Sequence, residues 1–365
     1  MFRLSLNTIY GLLKIAGLYL IAISLLSCSG SDEQEEVIVD DESLEIKGAD
    51  MSLLPEVRKS GLSFYNKNNE QEDLLKTLKS SGVNVIRLRL WKQPADPNSG
   101  FQSVKNLSAE IKNTGLKTLI SVHYSDSWAD PGTQSKPDQW KNINFEQLKD
   151  SVYNYTKKIM TEINPDYIQI GNEINSGLLW PEGNISNPAQ MKALLQKGIS
   201  AVRETNSKTK IIIHFAGISN ADWFFSTISG LDYDVIGISY YSIWHGKDLN
   251  ALQQSLVSLS ETNNKDIFIA ETAYPFTLDW KDFTNNIIGL NSQILSEYPA
   301  SPQGQKDYLI KISDLIKEVP RGIGYCYWGS EWVSYKGNTA NNGSPWENQA
   351  FWDFSNKSLP VLEAY

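Results

Sequence analysis

Two short apolar runs in this chain are each stopped by a glutamate. One reads Ile168-Gln169-Ile170-Gly171-Asn172-Glu173, the other Ile267-Phe268-Ile269-Ala270-Glu271. A carboxyl at the end of a buried strand is costly to ionise without a partner. Two such groups facing one cleft, roughly 5 Å apart, could cleave a glycosidic bond with retention: one attacks the sugar carbon, the other protonates the leaving oxygen and then activates water. That division of labour requires surroundings that drive the two pKa values apart. Either glutamate alone reads equally well as an ordinary strand end satisfied by solvent or a lysine. The two together, with Asn172 beside the first, favour the chemical reading.

A cation is available on another run. Arg87 and Arg89 alternate with Ile86, Leu88 and Leu90, so both guanidinium groups share one face of a strand. Arg89, nearer the carboxyl end, is expected to hold the attacking carboxylate ionised, and Arg87 to form a deeper structural ion pair. His123-Tyr124-Ser125-Asp126-Ser127-Trp128, Tyr241 ahead of Trp244-His245, and Trp328 supply polar and aromatic groups suited to flat sugar faces. His214, in the middle of an apolar run, reads as a core residue. The three histidines lack HExxH or comparable spacing, so no metal and no cofactor is expected.

These groups need elements to position them. Eight short runs rich in β-branched residues recur at 46–52, 84–91, 117–124, 167–173, 210–217, 235–241, 267–274 and 322–329. Amphipathic helical stretches lie between most of them, as at 70–79 and 145–163. Asn187-Pro188 and Ser301-Pro302 each look like an N-cap followed by proline at the first helical position. Near-continuous apolar strands joined by helices pair in parallel through right-handed crossovers, which predicts an α/β fold, a single (β/α)8 TIM barrel over 45–365. A doubly wound sheet is the alternative, but the first strand lacks a Gly-rich nucleotide fingerprint. In a barrel the reactive groups lie at the carboxyl ends of strands, where both glutamates fall.

Composition narrows the partners. With 41% apolar residues among 365 the chain can bury a full core. Lys and Arg number 33 against 42 Asp and Glu, a formal charge of −9 that offers nucleic acid no broad basic surface. Two cysteines, Cys28 and Cys326, cannot build a disulfide framework or a Cys-rich zinc site. Residues 1–27 carry Arg3 and Lys14, then an apolar run from Ile15 to Leu26 that is short for a membrane span and fits a signal peptide. Leu25-Leu26-Ser27-Cys28 resembles a lipobox, with Cys28 as the lipidated residue. The acidic stretch at 28–44 then serves as a flexible tether. The expectation is an outer-membrane lipoprotein, monomeric and facing the cell exterior.

The ordered motifs resemble the endo-β-1,4-galactanases of glycoside hydrolase family 53, a family of retaining (β/α)8 glycosidases. They are Lys47-Gly48-Ala49-Asp50, Gly82 through Trp91, His123 through Pro131, Gly171 through Pro181, Ile238-Ser239-Tyr240-Tyr241, Ala270-Glu271-Thr272-Ala273-Tyr274, Tyr327-Trp328, and Trp346 through Ala350. The resemblance implies hydrolysis inside β-1,4-galactan, the side chain of pectic type I arabinogalactan. It implies Glu271 as nucleophile, Glu173 as acid/base, Asn172 on the sugar 2-hydroxyl, and Arg89 and Tyr241 orienting Glu271. Trp128, Trp180 and Trp328 would be stacking platforms, the last preceding a cis peptide. The chain departs from the family at Gly329-Ser330-Glu331 and at Ser242, and its 276–282 segment lacks histidine, so no structural calcium is expected. Another polysaccharide such as mannan or xylan, or glycan binding without catalysis, are the competing readings.

Overall fold

The structure is a computed structural model that describes residues Leu44–Tyr365. The signal peptide, Cys28 and nearly all of the acidic tether lie outside the described residues. Leu44, expected at the end of the tether, is already buried.

Eight strands form one closed parallel barrel in sequence order: β1 (Ile46–Asp50), β2 (Val85–Leu90), β3 (Lys117–Val122), β4 (Tyr167–Ile170), β5 (Lys210–Ala216), β6 (Val235–Ser239), β7 (Asp266–Thr272) and β8 (Gly322–Tyr327). β1 closes on β8 through Ile46 opposite Gly324 and Gly48 opposite Cys326. Each strand stops earlier at its carboxyl end than its apolar run suggests, because those last residues leave the ladder to build the rim. The helices form the outer layer. Phe145–Glu162 opens on an Asn144 capping box, and the helices Pro188–Thr205 and Pro302–Lys317 are capped by Asn187 and Ser301, as their sequences predict.

Alternation sorts the strand side chains into two cores. Outward residues such as Ile86, Leu88, Ile120, Ile168 and Ile213 pack under the helices. Inward residues at the amino-terminal end, among them Ile46, Val85, Leu119, Tyr167, Ile212, Val235, Phe268 and Cys326, fill the barrel. One or two inward positions further along, the same strands become polar: Asp50, Arg87, Ser121, Gln169, His214 and Ser239, all buried. This polar layer is the floor of the site.

β7 breaks the alternation. Ile238 pairs with Ile269, yet the next β6 residue, Ser239, pairs with Glu271, leaving Ala270 as an extra residue. The same insertion shows against β8, where Ile269 faces Tyr325 and Thr272 faces Tyr327. From inward Phe268, strict alternation would send Glu271 to the helices. The bulge turns Ala270 and Glu271 both inward.

Candidate active site

A cleft of about 350 Å³ opens at the carboxyl ends of the strands, lined by Arg87, Arg89, His123, Trp128, Asn172, Glu173, Tyr241, Glu271 and Trp328. One oxygen of each glutamate and a ring nitrogen of His214 lie within 4.8 Å of one another. The two carboxyls reach this point differently. Glu271 is held within β7 by its bulge. Glu173 sits three residues past β4 in a turn with Gly171 at φ 88° and Glu173 itself at φ 46°. That left-handed conformation is uncommon for glutamate. It is fixed because the Ile174 N–H donates to the His214 carbonyl at 3.0 Å and the Gly171 N–H to the Val122 carbonyl at 3.1 Å.

The electrostatics separate the pair. Glu271 accepts from Arg87 Nη2 at 2.6 Å and from the Tyr241 hydroxyl at 2.9 Å. Glu173 accepts from the Ser239 hydroxyl at 2.6 Å and, among the described residues, is paired with no cation. Burial, then the nearby Glu271 charge, push the Glu173 carboxyl up to about 8. Burial also raises Glu271, but Arg87 and Tyr241 oppose it. Of the two, Glu173 therefore keeps a proton and Glu271 carries the charge. Tyr241 is driven upward by burial and by Glu271, so it remains a donor.

Arg87 corrects one expectation. The deeper arginine, not Arg89, meets Glu271. Its guanidinium also reaches Asp50 Oδ2 at 2.8 Å, Gln169 Oε1 at 2.7 Å, Ser121 Oγ at 3.3 Å and Asn172 Oδ1 at 3.0 Å. Burial alone would weaken its hold on a proton, but Glu271 and Asp50 outweigh that and keep it charged. Removing the cation would strand two buried carboxylates. Arg87→Met is expected to destabilise the fold by about 3–5 kcal/mol, read from denaturant midpoints, with Arg87→Lys less damaging because an ammonium keeps the charge but not the planar fork.

Arg89 instead donates through Nε to Ser99 Oγ at 3.0 Å and nestles against Trp91 and Trp128, 4.4 and 4.0 Å from their ring centroids. Burial lowers it to about 10. Arg89 lines the cleft, and its guanidinium braces Trp128, which is 41% exposed on the rim. Trp128 neighbours Trp328 at 6.2 Å, and Trp328 meets Trp346 at 4.8 Å, so an aromatic wall stands beside the carboxyls. Trp244, exposed and 6.1 Å from Trp346, extends this wall.

The other expected residues divide. Asn172 lies at the centre: its Oδ1 accepts from Arg87 and Ser121, and its Nδ2 donates to the Ala129 carbonyl at 2.9 Å. His123 lines the cleft, neutral by burial, its Nδ1 accepting from the Ala129 N–H. Asp126 lies outside the cleft, where it accepts from the backbone N–H groups of Gln93 and Asp138 and ties two loops. Tyr124 points into the outer core with its hydroxyl on Thr156. Trp180 is not part of the cleft wall; its indole donates to the Ser176 carbonyl. The cis peptide falls at Trp180-Pro181, not after Trp328, where Gly329 at φ 73° turns the chain instead. Asp50, Gln169, His214 and Ser239 were not expected in the site. Their signal was present, since each is a polar residue at an inward position of an otherwise apolar strand. The cluster of Glu173, His214 and Glu271 also has the donor types of a metal site; Glu173 Oε1 and His214 Nε2 meet the Ser239 hydroxyl, and the two Glu271 oxygens accept from Arg87 and Tyr241.

Residues 46–365 match the sequence model of glycosyl hydrolase family 53. The chain belongs to this family. Among family 53 relatives, an arabinogalactan endo-β-1,4-galactanase of Cellvibrio japonicus is 34% identical over 86% of this chain and 89% of its own length. An endo-β-1,4-galactanase of Bacillus subtilis is 31% identical over 88% and 85% respectively. The solved family 53 catalytic domain of Ignisphaera aggregans superposes with a TM-score of 0.82 at 39% identity, covering 88% of this chain and 95% of that domain. As a member of family 53 this protein is a glycoside hydrolase, and its (β/α)8 barrel is the family's fold.

Proposed function

We propose that this protein is a retaining endo-β-1,4-galactanase that cuts galactan and the galactan backbone of type I arabinogalactan. The observation that carries the reading is the carboxyl pair within 4.8 Å, one hydrogen-bonded to a cation and a phenol, the other half-buried and, among the described residues, without a cation partner. A spacing near 5 Å leaves no room for an attacking water between carboxyl and sugar, which suits a covalent intermediate and retention. Glu271 attacks the anomeric carbon. Arg87 and Tyr241 keep it ionised and aimed. Glu173 delivers its proton to the leaving oxygen, then takes one from water. Asn172, with one Nδ2 proton on Ala129, has the second for a sugar hydroxyl. Trp128 and Trp328 hold sugar faces, and relatives named as galactanases support galactan over mannan or xylan.

Linear β-1,4-galactan should be shortened with early release of mixed oligomers, and the new reducing ends should appear first as the β-anomer by NMR. Mannan hydrolysis without galactan hydrolysis, or α-anomer first, would reject the reading. Because Glu173 must be protonated to act as acid, kcat/KM on galactan is expected to fall tenfold per pH unit above about 8. The same proposal takes Cys28 as lipidated and the enzyme as a monomer at the outer face of the outer membrane; the cleft is complete within one chain. Metabolic labelling with a fatty acid should be lost in Cys28→Ser, and protease shaving of intact cells should release the barrel.

A further inference from the structure

Ser239 on β6 and His214 on β5 are fully buried and do not line the cleft, yet they connect to Glu173. The Ser239 hydroxyl lies 2.6 Å from Glu173 Oε1 and 2.8 Å from His214 Nε2. A hydroxyl has one proton, so it donates to one neighbour and accepts from the other. Which way it points decides where the carboxylic proton of Glu173 can sit. If Ser239 donates to Oε1, that oxygen acts as the carbonyl, and the acid proton stays on Oε2. If Ser239 accepts from Oε1, the proton is turned into the barrel floor, away from any leaving group.

The surroundings of His214 choose between the two. For Ser239 to donate to Oε1 it must accept from an N–H at His214 Nε2, leaving Nδ1 as an acceptor. Nδ1 has a donor available, the Glu173 backbone N–H at 3.4 Å. Asn172 Oδ1 stands 3.2 Å from Nδ1, but it already receives Arg87 at 3.0 Å and Ser121 at 3.1 Å and needs no proton from the ring. We propose that His214, as its Nε2–H tautomer, and Ser239 are positioning residues that keep the proton of Glu173 on Oε2, facing the cleft. The inference rests on Glu173 being the acid/base.

The other charged and titratable groups facing Glu173 are Glu271 on β7, Arg87 on β2, Asp130 after β3, and Tyr241 and His245 after β6. His214 and His245 are held neutral by burial, the latter lowered to about 4, and Tyr241 is raised, so none of these three gains or loses charge as Glu173 titrates.

The test compares wild type with Ser239→Ala, Ser239→Thr and Glu173→Gln, measuring kcat/KM against pH on galactan and on 4-nitrophenyl β-1,4-galactobioside. The aryl substrate has a leaving group that needs little proton donation. Ser239→Ala is expected to lose roughly 10- to 100-fold on galactan and less than threefold on the aryl substrate. Its alkaline limb on galactan should move up by about one pH unit, because the lost hydrogen bond favoured the ionised carboxyl. Ser239→Thr, which keeps the hydroxyl, should restore both. Equal losses on both substrates, or an alkaline limb that stays in place, would overturn the proposal. Glu173→Gln separates the two failures: if it keeps galactan activity and its alkaline limb, the acid/base reading itself is wrong; if it loses them while Ser239→Ala does not differ from wild type, only the positioning role falls.

Discussion

Glu271→Gln is expected to lower kcat on galactan by on the order of 10⁴- to 10⁶-fold, because the amide has the volume of the carboxylate and none of its nucleophilicity. Arg87 would keep Asp50 at 2.8 Å, so the buried cation is not left alone and the fold should survive with a melting temperature near that of wild type. Galactan binding should persist, since the aromatic wall and Asn172 are untouched. Calorimetric titration with galactan oligomers checks the binding, and reducing-sugar release checks the loss. Turnover within tenfold of wild type would remove Glu271 from its role. A variant that lost binding along with turnover would instead point to a collapsed cleft.

The second large effect is selective in a different way. Glu173→Ala removes the proton donor and should cost about 10²- to 10⁴-fold on galactan, whose leaving group is a poor one. On an activated aryl galactobioside the first bond-breaking step needs no donor, so kcat/KM should fall far less, while turnover becomes limited by release of the glycosyl intermediate. Azide, which needs no base to attack that intermediate, should then raise the rate and yield a β-galactosyl azide. Absence of both the leaving-group dependence and the azide product would refute the assignment. The position is also awkward for alanine, because Glu173 holds φ at 46°, so circular dichroism should accompany the kinetics.

Much of this architecture was legible in the chain. The apolar runs marked all eight strands because each is buried on both faces, and the Asn-Pro and Ser-Pro pairs marked helix starts because side chain and ring satisfy the same free amides. The two glutamates stood out because nothing else ends those runs. Depth was not legible. Alternation says that Arg87 and Arg89 share a face, but which one meets Glu271 depends on the stagger between strands that are far apart in sequence. Asp50 pairs in register with Arg87, which puts the deeper arginine level with the carboxyl layer. His214 was misjudged for a related reason: an isolated histidine in an apolar run looks like filler until its neighbours across the barrel, Asn172 and Ser239, are known. Trp180 shows the limit of motif reasoning, since a residue seven positions from an acid can still turn away from the cleft.

The bulge at Ala270 means that the attacking group owes its direction to chain length rather than to residue type. Adding a single residue between Ala270 and Glu271 would leave every charged, polar and aromatic group of the pocket in the gene, yet alternation beyond the bulge would swing the carboxylate out under the helices. Inactive homologues of such an enzyme could therefore carry the full complement of recognisable residues. Counting the spacing from Phe268 to the glutamate would expose them where a motif search would not.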